Sequence, residues 1–322
     1  MSIGTMQKFY HRFMERFVEQ LKDRWIVYPK TADEAKPYLD LYARLGFPGA
    51  VGELDCVHVH WVRCPAGLAS GYNNGKNKHP SVVFEVATTH QRKILHVTNG
   101  APGVRSDKTI VKTDRFVQEL RRKEILADVR FEVFDSFGTK LVREGAYLVT
   151  DNGYLRWRCL QFPIKCALTQ DEQYFSVRLE SVRKGVECTF GILKARFRLL
   201  WSKILFQKQK YVDAAFLACC ILHNMNVEDD GVEMNAREVE DDDDLREGIE
   251  LFRIRTRMGR ARQLGLQAEL EHGVEEERVP VRCVDMGHDN EEVELEHFTL
   301  LSDLVRHYNY CKRNKLIEWN VL

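Results

Sequence analysis

The stretch from Tyr147 to Leu200 constrains this chain most. It opens with Tyr147-Leu148-Val149-Thr150-Asp151-Asn152-Gly153-Tyr154, an apolar strand that ends in a carboxylate and a turn. It closes with Arg183-Lys184-Gly185-Val186-Glu187-Cys188-Thr189-Phe190-Gly191-Ile192-Leu193-Lys194-Ala195-Arg196-Phe197, a basic amphipathic helix carrying one acid. The 35 residues between Asp151 and Glu187 leave room for a turn, one more strand and the first turns of a long helix. A third acid, Asp55 in Gly52-Glu53-Leu54-Asp55-Cys56-Val57-His58, lies in an earlier apolar strand. Acids on two strands and a crossing helix, beside basic residues, point to a metal site that handles phosphodiesters.

Composition narrows the class. With 322 residues the chain can bury a full core. It holds no run of about 18 apolar residues, so no membrane span is expected, and no apolar signal region stands at its N-terminus. Nine cysteines fit free thiols in a reducing compartment. The formal net charge of zero conceals a segregation: Glu228 to Glu250 holds twelve acids and two arginines, while Ser176 to Lys203 holds seven basic residues and two acids. That separation suits a nucleic-acid-binding body joined to an acidic segment, and equally a solvated helix face beside a linker.

In chain order, Phe9, Phe13, Phe17 and Leu21 give Met6 to Trp25 a helical apolar face. Thr31-Ala32-Asp33-Glu34 reads as a capping box before a short helix. A first strand is expected from Val51 to Val62, with Asp55, Val57 and Val59 on one face and Cys56, His58 and His60 on the other. Val82–Ala87 and Ile94–Thr98 complete a three-stranded meander. A Gly100–Gly103 loop, a helix over Asp107–Glu124, a small β insertion at Phe131–Phe134 and Leu141–Val142, the Tyr147 strand and a fifth strand at Ile164–Leu168 follow. Thr169-Gln170-Asp171-Glu172 is a second capping box, opening a helix whose stripe is Val182, Val186, Thr189, Phe190, Leu193, Phe197 and Leu200. Further helices span Tyr211–Val227 and Leu295–Trp319. This order predicts a ribonuclease-H-like α/β domain with a mixed five-stranded sheet, helices on both faces, and helical N- and C-terminal extensions.

At these residues the chain resembles the DDE-type nucleases of the PIF/Harbinger transposase superfamily. Gly52–His58 resembles the strand of the first aspartate. Val149–Tyr154 resembles that of the second, where Asp-Ser-Gly-Tyr is commoner and this chain has Asn152. Val186–Phe197 resembles the Glu-centred helix. Gly103-Val104-Arg105-Ser106-Asp107 and Cys220-Ile221-Leu222-His223-Asn224-Met225 add two landmarks. The resemblance runs from Met6 to Val227, and the last helix is similar to the family's C-terminal end. It implies that residues 1–50 are the remnant of a helix-turn-helix region, 51–227 the nuclease domain, 228–294 an acidic, largely disordered linker, and 295–322 a C-terminal helix.

The expected chemistry follows. Asp55, Asp151 and Glu187 are the candidate catalytic residues and ligands of Mg²⁺ or Mn²⁺, with two ions expected. Asp107 is a second-tier ligand that a helix N-cap explains nearly as well. Lys184, Lys194, Arg196 and Arg198 are candidates for DNA phosphates, against the plain alternative of solvated helix charge. The implied activity is strand cleavage that leaves a 3′ hydroxyl, which in the intact family then joins target DNA. Alternatives are a domesticated DNA-binding or scaffold protein without turnover, and a zinc hydrolase built on Cys56, His58 and His60. Trp61 and Tyr72 could stack on bases, but core or loop packing suits them better, and Cys219-Cys220-Ile221-Leu222-His223 reads as core helix. Expected partners are DNA, a Myb-like protein that reads element ends, and a second copy of the chain, with no membrane. Nuclear localisation with a cytoplasmic pool is expected, and the arginines from Arg253 to Arg262 are a loose import signal.

Overall fold

A computed structural model describes residues 2–73, 79–201, 204–237 and 294–318. The elements run α1 (Ile3–Trp25), α2 (Ala32–Arg44), β1 (Ala50–His60), α3 (Ala69–Tyr72), β2 (Ser81–Thr88), β3 (Ile94–Val97), β4 (Ala101–Pro102), α4 (Asp107–Val111) and α5 (Arg115–Arg121). They continue β5 (Arg130–Phe134), β6 (Lys140–Glu144), β7 (Tyr147–Val149), β8 (Leu160–Gln161), α6 (Gln170–Arg196), α7 (Arg198–Trp201), α8 (Gln209–Arg237) and α9 (Leu295–Arg313). No helix among the described residues is long and apolar enough to cross a membrane.

The main sheet has the order β3-β2-β1-β7-β8, with β4 a short sixth strand paired to β2. β1, β2 and β3 are antiparallel, and β1, β7 and β8 are parallel. This is the mixed sheet of a ribonuclease-H-like domain. β5 and β6 form the separate small insertion. Alternation along β1 and β2 feeds a core on each face. Val57, Val59, Val82, Phe84 and Val86 pack with Val186, Phe190 and Leu193 of α6 and Val212 and Phe216 of α8. Leu54, Ala87 and Leu95 share a second cluster with Val111, Phe116 and Val117 of the α4–α5 region, and with Leu300, Leu304 and Tyr308 of α9.

Local chemistry explains the boundaries. Thr169 accepts the Glu172 N–H while Glu172 reaches back to the Thr169 N–H, so the second capping box forms in full and α6 starts where expected. The first box is altered: Thr31 caps α2 through the Glu34 N–H, but the Glu34 carboxylate takes the N–H of Lys30. Asn224 ties three elements together. Its Nδ2 donates to the carbonyls of Trp25 and Ile94, both at 2.7 Å, and its Oδ1 accepts from the Ile94 N–H.

Several expectations are corrected. The helix over Asp107–Glu124 is two helices, because Asp114 turns its carboxylate onto the Val117 N–H and restarts the chain as α5. The fifth strand is Leu160–Gln161, and Ile164–Leu168 lies beyond it without strand structure. The Gly100–Gly103 loop contains β4. Leu200 belongs to α7, since α6 ends at Arg196. α8 runs on to Arg237, past the expected start of the linker at Glu228. The linker's disorder and the Arg253–Arg262 cluster lie outside the described residues, as does Trp319. Trp61 and Tyr72 are buried, with the Trp61 indole donating to the Phe206 carbonyl and the Tyr72 hydroxyl to Gln209.

Candidate active site

The site begins with strand register. In the parallel pair of β1 and β7, Gly52 lies beside Leu148 and Glu53 beside Val149. Two residues further along each strand come Asp55 and Asp151. The period of two puts Asp55 on the Glu53 face of β1, while Asp151 follows the end of β7 at Val149, near enough for its charge to act on Asp55. Asp55 receives the N–H of Cys56 at 2.7 Å, and Asp151 receives that of Gly153 at 2.7 Å. The second bond tightens the chain just past the strand into a side-chain-closed turn.

α6 supplies the third acid by crossing this strand end. Gly185 sits directly against β1: a Cβ there would stand 2.0 Å from Oε2 of the fully buried Glu53. The close approach carries Arg183 and Glu187, one turn apart, over Asp55. The Arg183 guanidinium lies 3.3 Å from the Asp55 carboxylate and 2.8 Å from that of Glu187. Its other contacts go to Glu180, at 2.7 and 3.1 Å. Arg183 is nearly buried, while the Asp55 and Glu187 side chains keep 17% and 27% of their surface open to solvent. The acids are therefore reachable and their shared counter-charge is held in place.

Electrostatics follow from this crowding. Burial pushes the Asp55 carboxyl up to about 7; Asp151 and Glu187 add to the shift, and Arg183 opposes it. Burial works to lower the Arg183 pKa, but Glu180, Glu187 and Asp55 outweigh it and raise it. Three carboxylates gathered this way favour a cation among them, because two unit charges about 4 Å apart repel by roughly 4 kcal/mol at an effective dielectric near 20. As a donor set of hard oxygens they fit Mg²⁺ or Mn²⁺. Their side chains are not converged: among the described residues no three His, Cys, Asp or Glu side chains form a ready ligand group. Arg183 stands between two of the three acids.

Asp107 approaches from the first turn of α4. Ser106 occupies the N-cap position, so the Asp107 carboxylate does not cap the helix. It comes within 3.2 Å of where a Gly153 Cβ would stand, beside Asp151, and it hydrogen-bonds the Cys56 thiol. Tyr154, buried behind the turn, brings its hydroxyl to 3.6 Å from the same sulfur.

The reverse face of β1 carries a different set. Cys56 pairs across the sheet with Glu85, whose carboxyl burial and the neighbouring Asp114 push well above the usual range. Burial works against Asp114 too, but His96, 3.0 Å away, and the Val117 N–H hold its carboxyl below that range. Burial also raises the Cys56 thiol, which keeps it protonated. His58 is engaged with Ser81 at 3.0 Å, and His60 is exposed, its ring 6.4 Å from that of His79. The three proposed zinc ligands are thus directed to three separate partners. His223, in α8, is buried and donates to the Arg92 carbonyl at 2.8 Å.

Of the four basic residues expected near Glu187, Lys184 and Lys194 lie three before and seven after it, on the same helical face. Arg196 lies nine after, half a turn away, and its charge acts on His223 in the α8 layer. Arg198 is exposed on α7. Lys184 and Lys194 thus share the Glu187 side of α6, about one turn before and two turns after it. Sequence reading missed Arg183 as a site residue. The signal was present in its i, i+4 spacing to Glu187, but a basic residue within a basic run reads as solvent- or DNA-facing.

The chain is similar to known proteins. It is 25% identical over 238 residues to a Homo sapiens protein described as "Putative nuclease HARBI1", with 70% of this chain and 61% of that protein covered. The Bos taurus counterpart gives the same values, and the Xenopus laevis counterpart is 23% identical over 235 residues, covering 71% of this chain and 62% of its own. The chain thus spans about three fifths of the length of these relatives. No solved structure matches it. The family model described as "Plant transposon protein" matches residues 24–234, a span that holds all three acids, Asp107 and Arg183, and this chain belongs to that family.

Proposed function

We propose that the chain is a metal-dependent DNA endonuclease of transposase origin, in which Asp55, Asp151 and Glu187 hold two Mg²⁺ or Mn²⁺ ions. The observation that carries this reading is the β1–β7 register, which sets Asp55 beside Asp151 where α6 delivers Glu187. Bound in pairs, such ions would supply activation of an attacking water and stabilisation of the leaving 3′ oxygen of an in-line displacement. The protein's own part is to aim the carboxylates, with Asp107 a second-tier ligand beside Asp151. Lys184 and Lys194 hold backbone phosphates along the Glu187 face of α6, so binding should weaken steeply as salt rises. The description of the relatives as nucleases supports the same reaction class.

Phosphate contacts position a protein without choosing a sequence. We therefore place a Myb-like DNA-binding partner beside this nuclease in the nucleus, and a second copy of the chain at the paired ends of an element. A second reading, a DNA-binding or scaffold protein without turnover, draws on Arg183: its guanidinium already neutralises Asp55 and Glu187. One assay separates the two. Purified chain is incubated with supercoiled plasmid and Mg²⁺, Mn²⁺, Zn²⁺ or chelator, beside Asp55→Asn, Asp151→Asn and Glu187→Gln. Nicking that needs Mg²⁺ or Mn²⁺ and is lost in all three variants supports the nuclease. Parent-like nicking in all three removes the site assignment, and plasmid binding without nicking under any metal leaves the binding protein.

A further inference from the structure

Arg183 is an unusual neighbour for a set of acids meant to hold cations. It is nearly buried, it contacts two of the three acids within 3.3 Å, and a forked contact to Glu180 fixes it from the far side. Buried guanidinium–carboxylate contacts of this kind are strong, because neither partner returns to water cheaply when the other leaves. A divalent ion bound to Asp55 and Glu187 would face the same carboxylate oxygens and the like charge of Arg183.

We propose that Arg183 is an internal counter-ion of the site, competing with divalent cations for Asp55 and Glu187, and that cation binding requires the guanidinium to yield these two acids while Glu180 retains it. The inference rests on the reading of Asp55, Asp151 and Glu187 as a cation site. Glu180 is the feature that makes the exchange workable. It lies one turn before Arg183 on the same helix, with its side chain about one third open to solvent, so the guanidinium keeps a partner on leaving the other two acids. The arrangement also accounts for acids that neighbour one another and yet do not converge: in the conformation described, two of the three are turned to Arg183. Its consequence is a trade. The contact stabilises the cation-free fold and weakens cation binding by the same linkage.

The test is Mn²⁺ binding to the full chain, followed by electron paramagnetic resonance and by thermal unfolding with and without the ion. Parent, Asp151→Asn, Arg183→Gln and Arg183→Lys are compared. Mn²⁺ affinity should rise by about tenfold or more in Arg183→Gln, a small part of what one nearby charge contributes at intermediate dielectric. Its melting temperature in chelator should fall below the parent's and recover when Mn²⁺ is added. Arg183→Lys keeps the charge but cannot bridge the acids, so it should bind more tightly than the parent and less tightly than Arg183→Gln. It carries the test if Arg183→Gln does not fold. Parent binding that weakens in Asp151→Asn, together with an Arg183 variant that binds no more tightly, overturns the competition and leaves the site reading intact. Binding that is absent from every variant, or indifferent to Asp151, removes the site reading and the competition with it.

Discussion

Glu53 and Asp55 stand two residues apart on one face of one strand, and the same helix covers both. Glu53 is fully buried. Its carboxylate takes the Tyr42 hydroxyl at 3.1 Å and the His90 ring nitrogen at 2.9 Å, and Gly185 closes over it. Asp55 is left partly open, faces a charged guanidinium, and has two more acids for neighbours. One acid is sealed by hydroxyl, imidazole and glycine; the other is met by charge and water. The difference arises within one turn of α6, where residue 185 has no side chain and residues 183 and 187 have long ionic ones. A carboxylate in an apolar strand is therefore not in itself a functional signal. What meets it from the next layer decides its role.

The sharpest way to break this contrast is to neutralise each acid without changing its shape. Asp55→Asn should lower plasmid nicking by about 10²–10³-fold, the scale of losing a preorganised charge in a reacting site. Its stability should stay within about 1 kcal/mol of the parent, since burial already raises the Asp55 carboxyl and Arg183 keeps Glu180 and Glu187 as partners when Asp55 is neutralised. Glu53→Gln should do the reverse. Nicking should fall no more than about tenfold, as for a group that supports ligands from behind. Stability should drop by about 1–3 kcal/mol, because the buried Oε2 becomes an amide with donors to satisfy. Urea titrations beside the nicking assay give both numbers, and an Asp55→Asn that nicks normally would reverse the assignment of the two acids.

The sealed side should also be the acid-sensitive side. His223 fastens α8 to the Arg92 carbonyl, and the Arg92 charge acts on Glu53. Burial lowers the His223 pKa from 6.5 to about 4. The unfolded chain then takes up a proton on this residue between those values while the folded chain does not. The part of the stability that rests on His223 is complete above about pH 6.5 and declines as pH falls, by roughly 1.4 kcal/mol per unit, a loss of about 3 kcal/mol by pH 4. The raised carboxyls of Glu53 and Asp55 act in the opposite direction. His307, also lowered to about 4 by burial, acts in the same direction as His223 from α9, where its ring accepts the Phe134 N–H. His223→Gln, whose amide can still donate to Arg92, should flatten the urea midpoint between pH 6.5 and 4.5. A slope unchanged in that variant would place the acid sensitivity elsewhere.

A smaller effect is expected where the helix closes. Gly185→Ala adds a methyl group that meets the Glu53 carboxylate at 2.0 Å, a clash worth about 1–3 kcal/mol in a packed interior. Better helix propensity returns about 0.8–1 kcal/mol. The net loss should be about 0–2 kcal/mol, with nicking reduced because Arg183 and Glu187 are lifted from Asp55. Combining it with Glu53→Ala should cost less than the sum of the two, since the second change removes what the methyl group strikes. Full additivity would mean that α6 is held off β1 by something else.

How much of this could be read beforehand depended on length and on partners. The capping box at Thr169 and the meander are local chemistry and were legible. The break at Asp114 was not, because Ile110 and Val117 are seven apart and keep helical phase across it. β8 is two residues long, too short for alternation to mark, so the longer apolar run at Ile164–Leu168 drew the assignment. The three candidate acids could be named from strand ends, helix spacing and the family resemblance together, but Arg183 and the burial of Glu53 could not. Both depend on which α6 residue lies over which β1 residue, and that is fixed only when Gly185 docks.

The mildest change expected on β1 concerns Cys56, next to Asp55 but on the opposite face. If zinc were held by Cys56, His58 and His60, losing the sulfur would abolish activity. The three side chains instead serve different neighbours: the thiol lies among Tyr154, Glu85 and Asp107, His58 bonds Ser81, and His60 is exposed. Cys56→Ser retains a small hydroxyl that can reach Tyr154 or Asp107, so stability should change by less than about 1 kcal/mol. Nicking with Mg²⁺ should stay within about threefold of the parent, because Asp55 is aimed by its own turn of strand and by α6 rather than by this neighbour. The measurement is the plasmid assay run with Mg²⁺ and with Zn²⁺ on Cys56→Ser and His58→Gln. Activity that depends on Zn²⁺ and is lost in both would move the chemistry to the reverse face, and Asp55 would then join Glu53 as a structural acid.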